Sequence, residues 1–97
     1  MTHFYRRSKV DANQRAIVTA LRQAGVWVRS TAELGGGFPD LLTSYRGYVT
    51  LLEVKVPGKK LTPDQVRWFA DWDPCCPVFV VETIDDALLI ARERRDR

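Results

Sequence analysis

Asp40, Glu53 and Lys55 are the side chains whose types and spacing point to chemistry. Asp40 opens a run rich in Leu, Thr and Tyr that ends at Tyr45, and a second run, rich in Val, Leu and Thr, extends from Tyr48 to Val56. The intervening Arg46-Gly47 has the length and the glycine of a tight two-residue turn, so the runs predict a β-hairpin. In that register cross-strand partners carry numbers summing to 93: Tyr45 faces Tyr48, Thr43 faces Thr50, Leu41 faces Leu52 and Asp40 faces Glu53. The first three pairs match like with like, as a correct register should. The fourth sets two carboxylates opposite each other, with Cβ atoms about 5 Å apart. Like charges so placed destabilise a sheet unless a cation lies between them or one of them is protonated. A hard divalent ion suits the pair best, since Mg²⁺ commonly takes one or two carboxylates together with phosphate oxygens and water. Alternation along the strand puts Lys55 on the face of Glu53. The simpler alternative is a plain ion pair of Lys55 with Glu53 or Asp40, worth little at a surface. Asp40 in register and the Gly-x-Pro segment before it favour the metal site.

The remaining chain supplies elements to hold such a site. Ile17, Leu21 and Ala24, flanked by Val18 and Ala20, recur at helical spacing and predict a first helix from Asp11 to Ala24. Asp11 with Gln14 reads as its capping box and Gly25 as its end. Val26 to Arg29 reads as a short strand, and the glycines and proline of Thr31 to Pro39 as a loop. After a second loop at Pro57 to Lys60, Thr62-Pro63-Asp64-Gln65 carries every helix-start signal, and that helix runs to about Trp72. Pro74 and Pro77 bracket a turn, Val78 to Glu82 reads as a strand, and Thr83 caps a last helix with Ala87, Leu88 and Ile90 on its apolar side. The order α-β-β-β-α-β-α describes one α/β domain with a mixed sheet over residues 11–97, preceded by a basic tail at residues 1–10.

Gly37-Phe38-Pro39-Asp40-Leu41, then Glu53-Val54-Lys55, then Leu61-Thr62-Pro63-Asp64-Gln65, resembles the PD-(D/E)xK nuclease signature and, within it, the virus-type replication-repair nuclease module, VRR-NUC. The resemblance covers the chain from Asp11 to the last helix. It implies a restriction-endonuclease-like fold, a mixed sheet flanked by helices, and hydrolysis of DNA phosphodiester bonds with Mg²⁺ or Mn²⁺ to leave a 5′-phosphate and a 3′-hydroxyl. Carried over to this sequence, Asp40, Glu53 and the backbone carbonyl of Val54 would hold the metal, and Lys55 would orient or activate the attacking water. Gln65 matches a glutamine that touches the site in the family; it also fits the N3 position of a capping box with Thr62. The family tends to carry a metal-binding glutamate on its first helix. Gln14 is the match here, and a neutral amide is the weaker ligand.

The formal net charge is +3, distributed as Arg6, Arg7 and Lys9 at one end, Arg92, Arg94, Arg95 and Arg97 at the other, and Lys59 and Lys60 between. Arg6, Arg7, Lys9, Lys59 and Lys60 are the candidate contacts to nucleic-acid phosphates, and Phe4 and Tyr5 mix aromatic area into the first cluster. No run approaches the length of a membrane span, and Met1 to Lys9 lacks the apolar stretch of a secretory signal, which makes the cytoplasm the expected location; the resemblance implies that of a bacterial or phage-infected cell. Cys75 and Cys76 are adjacent and read as reduced thiols. Trp68 and Trp72 add a second apolar strip to the Val66, Phe69, Ala70 side of their helix. That width predicts either a homodimer interface or indoles that cover a small core from the side. A two-fold dimer would place two active sites on branched DNA such as a Holliday (four-way) junction or a flap, which the resemblance also implies. Two rivals remain at this point: a nucleic-acid-binding module of the same fold without turnover, and an interaction protein that dimerises through the tryptophans.

Overall fold

The hairpin forms in the expected register, with Leu41 opposite Leu52, Thr43 opposite Thr50 and Tyr45 opposite Tyr48. Arg46 and Gly47 both take positive φ, at 49° and 85°, the requirement of the tight turn whose twist matches that of its strands. The computed structural model describes the backbone of residues 2–73 and 76–93 and the side chains of residues 10–73 and 76–92. Its elements are α1 (Thr2–Gln23), β1 (Trp27–Ser30), β2 (Leu41–Tyr45), β3 (Tyr48–Val54), α2 (Pro63–Asp71), β4 (Val78–Val81) and α3 (Ile84–Glu93), with a 3-10 turn at Ala32–Leu34. The sheet order is β1-β2-β3-β4, antiparallel except for the parallel pair of β3 and β4.

Several ends shift by one or two residues from the sequence expectation (β2 begins at Leu41, β3 ends at Val54 and β4 at Val81), and the two ends of the α1 segment differ for visible reasons. Helix α1 begins at Thr2 rather than at Asp11, so helical backbone replaces the expected tail and Asp11 lies inside the helix. No proline or glycine precedes Gly25, and nothing in the chain stops the helix at Asp11. At the other end Gly25 (φ 87°) turns the chain and the Val26 N–H donates to the Leu21 carbonyl at 3.0 Å. Val26 thus closes the helix, and the strand starts one residue later than expected, at Trp27.

One face of the sheet carries the core. Ile17 and Leu21 of α1, Val28, Leu41, Leu52, Val54 and Val81 of the strands, and Ala87 and Ala91 of α3 are buried together. Strand alternation sends Asp40, Leu42, Leu51 and Glu53 to the opposite face, where α2 lies. Helix α2 has the full capping box expected of its sequence, Thr62 Oγ1 accepting from the Gln65 N–H while the Gln65 side chain accepts from the Thr62 N–H. It contains no fully buried residue. Its role is to cover the functional face, and the apolar interior belongs to α1 and α3.

That division is measurable in denaturant. Ile17→Ala, which empties a site with no exposure, should cost about 2–5 kcal/mol of unfolding free energy. Val66→Ala on α2, at a side chain 52% exposed, should stay within about 0.5 kcal/mol of wild type.

Candidate functional site

Asp40 stands one residue before β2, and its Oδ2 accepts a hydrogen bond from the Val54 N–H at 2.8 Å. The bond anchors the carboxylate across the hairpin, beside Glu53. Glu53 is 2% exposed, a charged side chain in an otherwise apolar stretch of β3. Its Oε2 accepts from Gln65 Nε2 at 2.8 Å and lies 3.7 Å from Lys55 Nζ. Its Oε1 is buried and, among the described residues, has no hydrogen-bond partner. Lys55 extends the ladder beyond β3, its N–H donating to the Val81 carbonyl at 2.9 Å. All four side chains expected at the site, Asp40, Glu53, Lys55 and Gln65, therefore meet at one end of the sheet. The two roles considered for Gln65 coexist: one end of its amide completes the helix cap and the other holds Glu53.

Burial pushes Glu53 up to about 8 from an ordinary 4.5; the facing Asp40 carboxylate adds to the rise and Lys55 opposes it. Asp40 is also raised by burial, against the lowering effects of the Val54 N–H, Glu53 and Lys55. The site has more negative charge than it can hold unaided. An orphaned buried carboxylate oxygen beside a second carboxylate is what a hard cation would satisfy, and an all-oxygen donor set suits Mg²⁺ or Mn²⁺. Among the described residues no third acidic, histidine or cysteine ligand joins them, so the rest of such an ion's coordination falls to backbone, water and phosphate.

Neighbouring segments fix this geometry. Gly37 (φ 85°) passes so close to the first turn of α2 that a Cβ there would lie 2.7 Å from the Asp64 carbonyl carbon and 3.0 Å from the Gln65 nitrogen. Phe38 packs edge-on against Trp68 (centroids 5.1 Å) and Trp72 (6.3 Å), and these indoles stack on each other at 4.6 Å. Trp68 and Trp72 are half-buried, so they clamp α2 to the loop that delivers Asp40. Asn13 was not anticipated: its Nδ2 donates to the carbonyls of Lys55 and Glu82, both at 3.3 Å, tying α1 to the ends of β3 and β4. A polar residue one turn before the buried Ile17 was the available signal. Gln14, beside it, makes no side-chain hydrogen bond among the described residues.

Lys59 and Lys60 are exposed after the turn at Val56–Lys59, just beyond Lys55. The side chains of Phe4, Tyr5, Arg6, Arg7 and Lys9 lie outside the described residues, as do Cys75, Arg94, Arg95 and Arg97. Arg92 lies over the Tyr45 ring, 5.5 Å from its centroid. Among the described residues no helix is long and apolar enough to cross a membrane.

The sequence model of the VRR-NUC domain matches residues 3–82. A solved structure described as a VRR_NUC domain is 29% identical, superposes with a TM-score of 0.68, and is covered over 92% of its length by 84% of this chain. No curated protein matches.

Two measurements probe the site without any substrate. Because burial raises Glu53, the folded chain holds this proton more tightly than the unfolded chain does. That contribution is fully present below the ordinary value of 4.5 and is lost as pH rises to about 8. In EDTA the melting temperature should fall by about 5 °C or more between pH 5 and pH 8, and Glu53→Gln should flatten that slope. Gly37→Ala should cost about 2 kcal/mol or more in a urea melt, through strained φ and collision with the α2 backbone.

Proposed function

This chain belongs to the VRR-NUC nuclease family, and from that premise we propose that it is a metal-dependent DNA endonuclease with Asp40, Glu53 and Lys55 at its centre. The observation that carries the reading is the buried, unpartnered Oε1 of Glu53 beside the Asp40 carboxylate. Asp40, Glu53 and the Val54 carbonyl would hold Mg²⁺ or Mn²⁺, which when bound supplies Lewis acidity and lowers the pKa of a coordinated water. Gln14 is a weaker candidate ligand, since the bonded amide on α1 is that of Asn13.

The chain's own groups then have separate tasks. Lys55 Nζ, held at 3.7 Å from Glu53, orients the attacking water and places fixed positive charge where negative charge develops on the phosphorus oxygens. Gln65 fixes the Glu53 carboxylate from the α2 side. Lys59 and Lys60, exposed beyond Lys55, neutralise phosphates away from the scissile one, and Arg6, Arg7 and Lys9 extend that contact. The outer side of α2, with Val66 52% exposed and the remaining surface of Trp68 and Trp72, would be covered by a second copy. Such a homodimer presents two sites and suits branched DNA, four-way junctions or flaps, over linear duplex.

The decisive assay is cleavage of labelled linear, flapped and four-way-junction DNA with Mg²⁺ or Mn²⁺ and with EDTA. Wild type should cut only with metal and prefer a branched substrate. Lys55→Ala should lose roughly 10²–10³-fold in rate with an unchanged melting temperature. Folded wild type that binds DNA but cuts none of these under either metal would leave a binding module of the same fold.

A further inference from the structure

Strand β1 lies at the edge of the sheet, and its alternate residues Trp27 and Arg29 share the face of Asp40 and Glu53. The register makes this explicit. Arg29 pairs with Leu42, which pairs with Leu51; Trp27 pairs with Ser44, which pairs with Val49. Leu42 and Leu51 are each two residues from Asp40 and Glu53, so Arg29 stands one row from the carboxylates and Trp27 two rows. Each row is two strand residues, about 7 Å, close to the step from one phosphate to the next along a nucleic-acid strand. Helix α2 covers the carboxylate end of this face but leaves the β1 side open. Trp27 is 54% exposed and Arg29 is exposed. Among the described residues the Arg29 side chain makes no hydrogen bond or ion pair and the Trp27 ring has no ring partner. With Val49, 43% exposed in the same row, Trp27 leaves contiguous apolar surface on this face, and a free guanidinium is a ready partner for phosphate.

We propose that Arg29 and Trp27 form a binding track for the DNA strand that continues from the scissile phosphate, Arg29 taking an adjacent phosphate and Trp27 stacking on an exposed base. This rests on the nuclease reading of the carboxylate site. Charge complementarity selects nucleic acid as the occupant: the positive group stands on the open edge, and the cleavage site at the end of the same face requires a phosphate there. Base stacking on one aromatic is sequence-tolerant, as a structure-selective nuclease needs. Unpaired bases, as at flaps and junction centres, would be held more tightly than duplex.

The test uses the full chain and a fluorescein-labelled single-stranded oligonucleotide and flap. Binding is read by anisotropy in EDTA across a salt series, and cleavage by single-turnover rates with Mg²⁺. Trp27→Ala should weaken binding about tenfold or more, and Trp27→Phe should recover most of it. Arg29→Gln should lower the slope of log affinity against log salt by about one phosphate contact. Both should raise the half-saturating enzyme concentration in single turnover while leaving the limiting rate within about twofold, and Arg15→Gln, exposed on α1, should change neither. Both positions are exposed, so melting temperatures should match wild type. If wild type cuts and the Trp27 and Arg29 variants bind as it does, the track is wrong and the nuclease stands. If wild type binds DNA without cutting, the catalytic reading fails, and the variants' anisotropy still decides the track. If light scattering shows Trp27→Ala converting a dimer to a monomer, the face belongs to a second copy and the proposal is overturned.

Discussion

The opposition of Asp40 and Glu53 across a hairpin is the constraint around which the molecule is arranged. A two-residue turn fixes which residues face each other, and every pair between the turn and the site follows from it. Slipping that register by one residue would send Glu53 into the apolar core and Leu52 into the site. The register that buries the core is therefore the same one that pairs the carboxylates. The pair is held by groups that each compensate part of the charge: a backbone N–H on Asp40, an amide and an ammonium on one oxygen of Glu53. The other oxygen of Glu53 is buried and, among the described residues, has no hydrogen-bond partner.

The two faces of the sheet divide the work. Burying a carboxylate is unfavourable, and a domain this small has little stability to set against it. The face under α1 and α3 is accordingly mostly aliphatic, with Ile17, Leu21, Leu41, Leu52, Val81 and Ala87 showing no exposure and Thr43 and Thr50 the buried hydroxyls among them. The other face holds the site under a helix with no buried residue of its own, fastened by aromatic edge contacts and a glycine's close approach. Such a helix adds little to the apolar core, and its hold on the sheet rests on those few contacts.

Much of this was legible in the sequence because it depends on local periodicity. Leu41, Thr43 and Tyr45 find like partners at a fixed sum, and that match locates Glu53 without a structure. The cap of α2 is likewise written in four consecutive residues. What escaped has no local signature. Asn13 touches Lys55 and Glu82, far along the chain, and nothing near position 13 announces either. The start of α1 escaped because Asp11 is an acceptable cap residue that the helix simply continues past. Trp68 and Trp72 were ambiguous for a different reason: a wide apolar arc tells that something covers it but not what, and Phe38, which covers part, comes from a loop whose path depends on Gly37. As a metal ligand Gln14 was singled out on the resemblance alone, and the bonds from α1 to the ends of β3 and β4 come from its neighbour Asn13.

The amide of Gln65 also limits what evolution could place there. A capping box accepts glutamate as readily as glutamine, because only an acceptor is needed at the helix start. At this position the same side chain must also offer a hydrogen to Glu53, 2.8 Å away. A carboxylate could serve the helix only by adding a third negative group to a cluster already short of positive charge. A methionine or leucine could fill the space but serve neither partner. An amide alone faces both ways, accepting on one side and donating on the other. The start of α2 and the posture of the Glu53 carboxylate are thereby a single structural decision, and neither can be tuned without disturbing the other.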